Sequence, residues 1–278
     1  MTISIQSLRS RFGRVETFTV GDREYVAFVP NSLTSTTPVL ITHDAQNYLV
    51  DLDSTWNGEN WGVTEAIDAG RIRAHDFNGL PLIVSVSLKD SAGLRFNELA
   101  PQEYMETRSE LWLATVALKK AVSSQLMGNA YIDEIVSSLL PRLADRYGIE
   151  LSTELTAIAG SSMGGVASLY AVGRHPGVFG AALAYSTHWV VGQEDLVPYL
   201  LDRIPLDGSH LIWTDRGDLD LDATYAAGHA QAQQRLEQLG WKLDENFIAA
   251  VFYGTGHAEK FWSRRIELPI NWWLSKIS

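Results

Sequence analysis

The chain has 278 residues and no cysteine. Disulfides, thiolate metal sites and cysteine nucleophiles are therefore excluded. No uncharged apolar run reaches the roughly 18 residues a membrane span needs. The opening stretch MTISIQSLRSRFGRVETF also has no continuous apolar segment of the signal-peptide kind. The compartment expected on these grounds is the cytoplasm. Basic residues are scarce: 22 Lys and Arg stand against 33 Asp and Glu, for a net charge of −11, with no basic run. Such a surface repels nucleic acid and anionic lipid, so neither is an expected partner. Internal repeats and low-complexity tracts are missing too. No histidine–carboxylate cluster shows ligand spacing, so neither a metal nor another cofactor is expected. Nothing in the sequence speaks to oligomeric state.

What is present suits a large core. Apolar residues make up 46% and charged residues 20% of the chain, and one domain over residues 1–278 is expected. ETFTV and REYVAFVP flank Gly21-Asp22 as a hairpin. PVLITHD (38–44), LPLIVSVSL (80–88), LTAIAGS (155–161), HLIWTD (210–215) and FIAAVFYG (247–254) are short continuous apolar runs, the form of strands buried on both faces of a parallel sheet. Helical patterns lie between them. Residues 131–148 carry one apolar face, with Pro141 set to kink the helix or begin another. Residues 222–240 read as a helix ending at Gly240, and 258–277 as one closing helix disturbed by a proline. The alternation predicts a doubly wound α/β sheet with the hairpin adding antiparallel edge strands.

Gly160-Ser161-Ser162-Met163-Gly164 fits G-x-S-x-G. The pattern is short, and its context carries the weight: an apolar run ends in it and a helical pattern leaves it, as a strained nucleophile turn requires. In this register the nucleophile is Ser162 and Ser161 is the free position. A serine hydroxyl needs a base, and on this kind of fold the order is serine, acid, histidine. Of the seven histidines, 175, 188, 210, 229 and 257 follow Ser162. His210 begins a strand. His229 lies among alanines and glutamines, the usual setting of a solvated helix position. His257 sits on a glycine-flanked loop directly after the last apolar run and is the expected base. The acid should follow HLIWTD, where Asp215, Asp218, Asp220 and Asp222 crowd together. Asp215 reads as a strand-end residue and Asp222 as a helix N-cap; Asp218 and Asp220 stay open. The oxyanion hole needs two amides. Met163, after the nucleophile, supplies one, and the turn THDAQN supplies the other, with Gln46 the choice.

Several segments together resemble the putative esterase family, which includes esterase D, enterochelin esterases, feruloyl esterases and mycolyl transferases. They are VLITHDAQNYL, IAGSSMGGVASLYAVGRHPGVFGAALAYSTHW, DRGDLDLDATY and GTGHAEKFWSRRIELPINWWL. The likeness runs from about residue 38 to the C-terminus. It implies an α/β-hydrolase fold: a three-layer αβα sandwich around a mostly parallel sheet. It implies Ser162 as nucleophile and His257 as base. It selects Asp220 as the acid, with Asp218 and Asp222 as reserves, because relatives tend to place a carboxylate three residues after a glycine here and Gly217 is that glycine. It supports the amides of Met163 and Gln46. Relatives commonly read His-Asp-Gly-Gln-Asn where this chain has Ala45, and a positive φ there would strain an alanine. His188, Trp189 and Arg95 are candidate pocket residues, although a structural His188, a packing Trp189 and an Arg95–Glu98 ion pair are the plainer readings. The resemblance makes a small-molecule ester the expected partner and a serine esterase the expected activity. The same machinery could pass an acyl group to an alcohol or sugar, and a non-catalytic binding protein on this fold is a third possibility.

Overall fold

A computed structural model describes residues 10–49, 60–73, 79–88, 95–108, 126–192 and 194–277. His75 and the first nine residues of the opening stretch lie outside them.

Eight strands form one sheet: β1 (Gly13–Val20), β2 (Arg23–Pro30), β3 (Val39–Thr42), β4 (Leu82–Val86), β5 (Thr156–Ser161), β6 (Ala181–Tyr185), β7 (Leu211–Gly217) and β8 (Phe247–Phe252). Their order is β1-β2-β4-β3-β5-β6-β7-β8. β1 and β2 pair antiparallel across Gly21-Asp22, and β2 pairs antiparallel with β4. The remaining neighbours are parallel. The expected hairpin edge and the five apolar runs are thus all strands. β6, AALAY, is the central strand that no large apolar run announces. Its alanines are buried without bulk, which lets helices pack close to the sheet.

The helices are α1 (Val63–Asp68), α2 (Arg95–Leu99), α3 (Gln102–Glu106), α4 (Gly128–Glu134), α5 (Leu140–Tyr147), α6 (Met163–Arg174), α7 (Leu196–Leu201), α8 (Asp220–Ala223), α9 (Ala226–Leu239), α10 (Glu259–Trp262) and α11 (Glu267–Leu274). Successive strand residues point to opposite faces, and the two faces bury separate cores. Ile41, Val84 and Ile158 join Val166, Leu169 and Leu236 on one side. Leu40, Ile83 and Ala157 join Trp61, Ile67, Ile270 and Trp273 on the other. The result is the three-layer αβα sandwich. Among the described residues, no helix is long and apolar enough to cross a membrane.

Proline placement differs from the sequence reading in two places. Residues 128–147 continue as one rod, with a π turn (Ile135–Leu139) between α4 and α5. That wider turn absorbs the missing N–H and ring bulk of Pro141. The closing segment is two helices rather than one, and its break precedes Glu267. Pro269 lies in the first turn of α11, where a proline costs no intrahelical bond. The reading of 222–240 as a single helix is likewise corrected: a short turn, α8, precedes α9, which ends at Gly240 with φ 94°.

His229 is a further correction, since it is buried rather than solvated. His229, Ala232 and Leu236 are the buried positions of α9, an i, i+3, i+7 stripe. Neither ring nitrogen of His229 has a hydrogen-bond partner among the described residues. Burial pushes its pKa from 6.5 down to about 4. The unfolded chain therefore takes up a proton below pH 6.5 that the folded chain refuses until about pH 4, so stability falls with pH across that window. His229→Leu is expected to remove roughly 2–3 kcal/mol of the loss between pH 7.5 and 4.5 in urea titrations. An unchanged pH slope would show that the histidine is not held neutral.

Candidate active site

The site gathers where the parallel strands end, at their carboxyl edge. β5 runs into Ser162, which takes φ 57° and ψ −119° before α6 begins at Met163. This is a strained backbone for a non-glycine residue. It is held from both sides: the Ser162 N–H donates to Tyr185 O at 2.9 Å, and the His188 N–H donates to Ser162 O at 3.1 Å. Gly160 is required for space. A Cβ there would meet His43 Cδ2 at 2.8 Å and the Gly164 backbone at 2.9 Å. His43, fully buried and bonded through Nδ1 to the Tyr131 hydroxyl at 2.7 Å, is the wall against which the turn closes.

β8 leads into the loop that carries His257. Its Nδ1 lies 2.6 Å from Asp222 Oδ1, and Asp222 is fully buried. A ring nitrogen facing a carboxylate carries the proton, which leaves Nε2 of the neutral ring with its lone pair. Asp222 Oδ2 accepts the Gly217 N–H at 2.6 Å and the Ser186 hydroxyl at 2.6 Å. Burial raises the pKa of this carboxyl, but the donors from His257, Ser186 and Gly217 outweigh it and hold the group below the usual aspartate value.

Asp222, not Asp220, thus faces the histidine. The sequence reading took Asp222 as the N-cap of a helix over 222–240 and chose Asp220 from the family resemblance. Instead α8 coils residues 220–223 and turns Asp222 inward, while α9 starts only at Ala226. Asp220 is exposed, with φ 52°. Asp218 accepts the Gly254 N–H at 2.6 Å and ties off the loop before His257. Asp215 is buried beneath the site in an ion pair with Arg265 at 3.0 Å, and also receives the Trp213 indole and the Ser186 N–H.

Ser186 is a junction that sequence reasoning missed. Its hydroxyl donates to Asp222 and accepts from Trp262 Nε1 and Arg265 Nη2, both at 2.9 Å. Those three bonds saturate a hydroxyl, so the Asp222 carboxylate is fixed by a chain that ends in a buried ion pair. A serine in AYSTHW carries no signal of this; only the fold brings residues 222, 262 and 265 to it.

Ser162 and His257 line one cleft of about 210 Å³ with Asp44, Asn47, Trp61, Arg95 and other residues. Ser161 borders it as well. Arg95 makes two bonds to Asp44, at 2.7 and 2.8 Å, rather than pairing with Glu98. Glu98 instead holds Arg23 at 2.7 Å. Burial raises the Asp44 pKa, and the Arg95 charge and hydrogen bonds bring it below the ordinary value. Asn47 Nδ2 donates to Glu259 at 3.0 Å, closing the other rim. His188 lies behind the serine, bonded to Tyr225. Trp189 lies outside the cleft: a 3₁₀ turn (Trp189–Val191) directs it onto Gly228 of α9. The positive φ in the His43–Asn47 turn falls on Asp44, at 58°, and not on Ala45. The alanine therefore bears no such strain, and its methyl is buried.

The amides of this turn divide cleanly. Ala45 N–H is spent on Val86 O and Asn47 N–H on Asp44 O. Among the described residues no acceptor takes the Gln46 N–H. Met163 is the first residue of α6, so its N–H has no intrahelical acceptor.

Comparison with known proteins adds three findings. A family model described as Putative esterase matches residues 102–265. No curated protein matches the sequence. Solved structures share the fold. A ferulic acid esterase superposes with a TM-score of 0.61 at 17% identity, covering 99% of this chain and 98% of the other. The enterobactin esterase FES from Shigella flexneri, with 2,3-dihydroxy-N-benzoyl-serine, gives 0.63 at 16% identity. There the match covers 96% of this chain but 60% of the other, so this chain accounts for only part of that protein. A CE1 ferulic acid esterase from Anaeromyces mucronatus in complex with ferulic acid gives 0.54 at 15% identity, covering 99% and 90%. At these identities the structural likeness speaks for the fold, the α/β-hydrolase sandwich.

Proposed function

Since the chain belongs to the Putative esterase family and is a carboxylic ester hydrolase, we propose that it opens its ester through an acyl-enzyme on Ser162. The observation that carries this is the buried Asp222–His257 pair sharing one cleft with a serine on a strained strand-to-helix turn. His257 Nε2 takes the serine proton as Oγ attacks the carbonyl carbon, and then passes that proton to the leaving alcohol. Water attacks next, giving its proton to the same nitrogen. Asp222 keeps the proton of His257 on Nδ1 and stabilises the imidazolium. The unspent amides of Met163 and Gln46 are the proposed oxyanion donors, each worth about 3–4 kcal/mol in the transition state.

The cleft suggests the substrate class. Trp61, Trp262 and Leu221 give it flat apolar walls. Arg95 is already neutralised by Asp44, and Glu259 adds a further negative charge. An uncharged aryl ester suits this lining better than an anionic one. This agrees with the ferulic acid esterases among the structural relatives.

A fluorophosphonate probe is expected to label the protein, with the adduct found by peptide mass spectrometry on Ser162. Ser161→Ala should remain labelled. In an ester panel, neutral aryl esters should show higher kcat/KM than analogues bearing a carboxylate on the acyl group. An adduct on any other residue overturns the assignment, and a preference for the anionic analogues overturns the substrate class.

A further inference from the structure

The turn that carries the Gln46 amide has one residue with a left-handed backbone. Asp44 takes φ 58°, a value that side chains other than glycine seldom adopt. Backbone bonds tie the turn on either side of it: His43 N–H donates to Ala159 O at 3.0 Å, and Asn47 N–H to Asp44 O at 3.3 Å. The Asp44 side chain is held as well. Arg95 Nε donates to Oδ1 at 2.7 Å and Arg95 Nη2 to Oδ2 at 2.8 Å, a side-on grip on both oxygens. Gln46 Nε2 adds a bond to Oδ1 at 3.3 Å. The residue with the unspent amide is thus fastened, through backbone and side chain, to the carboxylate that Arg95 holds.

Arg95 is itself well rooted. It opens α2, in which Asn97, Glu98 and Leu99 are buried. Glu98 pairs with the buried Arg23 at 2.7 Å, and Asn97 O accepts the Met127 N–H at 2.9 Å. The guanidinium therefore ties the turn to a separate, anchored element. Asp44 also packs against the start of α6. A Cβ at Gly164 would lie 3.6 Å from Asp44 Oδ2, directly after the Met163 amide. Asp44, Arg95 and Ser162 line the same cleft. A bare carboxylate there would oppose an oxyanion forming nearby, and the bound guanidinium cancels that charge.

We propose that Arg95 is a positioning residue: through Asp44 it holds the Gln46 amide ready for the oxyanion, and it does not bind the ground-state substrate. This rests on Ser162 being the nucleophile and on the oxyanion donors given above. Preorganised donors accelerate a reaction because they need not reorient as charge develops. A grip that fixes the donor and neutralises Asp44 gains importance when the carbonyl oxygen turns negative. It matters little while a neutral ester is bound. Interactions that grow in this way raise kcat and leave KM alone.

Steady-state hydrolysis of a neutral aryl ester, with two ketone inhibitors sharing its acyl part, tests this. In the trifluoromethyl ketone, Ser162 Oγ bonds to the carbonyl carbon while the serine proton passes to His257, leaving a tetrahedral oxyanion. The matching methyl ketone stays trigonal and reports the ground state. Arg95→Met is expected to lower kcat about 10- to 100-fold, part of the roughly 10²–10³ lost with a whole oxyanion donor. KM should stay within about threefold of wild type. Ki for the trifluoromethyl ketone should rise in step with the fall in kcat, and Ki for the methyl ketone by less than about threefold. Arg95→Lys keeps the charge without the side-on grip, so its losses should be intermediate. The lysine variant carries the test if the methionine variant does not fold. A raised KM with unchanged kcat, a trifluoromethyl ketone affinity that does not follow kcat, or a lysine variant equal to wild type overturns the proposal. Fluorophosphonate labelling of the wild type separates the two levels. Without an adduct on Ser162 the nucleophile reading itself fails. An adduct, with trifluoromethyl ketone affinity unmoved in the Arg95 variants, removes only the role of the arginine.

Discussion

Ser162→Ala is expected to lower kcat for an aryl ester by roughly 10⁶-fold, the loss seen when a triad nucleophile is removed. The oxyanion amides and the cleft survive the change, so binding is retained and KM should stay close to the wild-type value. The fold should survive too. Ser162 is held through its backbone N–H and C=O, which alanine keeps, and alanine at φ 57° is no worse placed than serine. A thermal melt within a few degrees of wild type would confirm that the loss is chemical. Active-site titration of the preparation guards against wild-type carry-over. Residual kcat above about 1% would mean that another group attacks the ester, far outside the range for a lost nucleophile.

The acid should give the second large effect, and its size depends on which aspartate is changed. Asp222→Asn is expected to cost about 10⁴ in kcat, and the local hydrogen bonds explain why. Oδ2 of Asp222 receives two donors, the Gly217 N–H and the Ser186 hydroxyl. Ser186 is committed to donating there, because its oxygen already accepts from Trp262 and Arg265. An asparagine must therefore turn its carbonyl toward Gly217 and Ser186, leaving its NH₂ facing His257 Nδ1. That nitrogen then has to accept, which moves the ring proton to Nε2 and removes the base. Asp220→Asn should change kcat by no more than about twofold, as for other exposed positions, since asparagine tolerates the positive φ found there. Steady-state kinetics of the two variants side by side decide between the carboxylates. A large loss in Asp220→Asn with a small one in Asp222→Asn would overturn the reading of the α8 turn.

Local pattern carried much of this molecule. Gly160, Ser162 and Gly164 at their spacing, an apolar run before them and a helix after them placed the serine. His257 followed from its position behind the last strand. The strands β3, β4, β5 and β7 were legible because a residue buried on both faces of a sheet must be apolar whatever its neighbours are, β8 from its apolar run, and β1 and β2 from the runs flanking Gly21-Asp22. β6 was less so, since alanine is compatible with either element. His229 was misread as solvated although the i, i+3, i+7 stripe it forms with Ala232 and Leu236 was there to be counted.

The acid shows where local pattern stops. Four aspartates within eight residues differ little in propensity, and the spacing from Gly217 that the resemblance implied picked one that the structure leaves exposed. Which of them meets His257 depends on the coil of α8, the donors on Gly217 and Ser186, and the Arg265–Asp215 pair beneath them. The same holds for Tyr225, whose hydroxyl meets His188 from 37 positions along the chain. The sequence by itself determined the apolar strands, the strand-to-helix turn at Ser162 and the loop of His257, because each rests on residues adjacent in the chain. Tertiary structure alone decided which aspartate faces His257, its Ser186 support, the Arg95–Asp44 pairing and the Tyr225–His188 contact. Hydrogen-bond complementarity between distant side chains depends on distance and direction in space, and neither is encoded in the composition of any one segment.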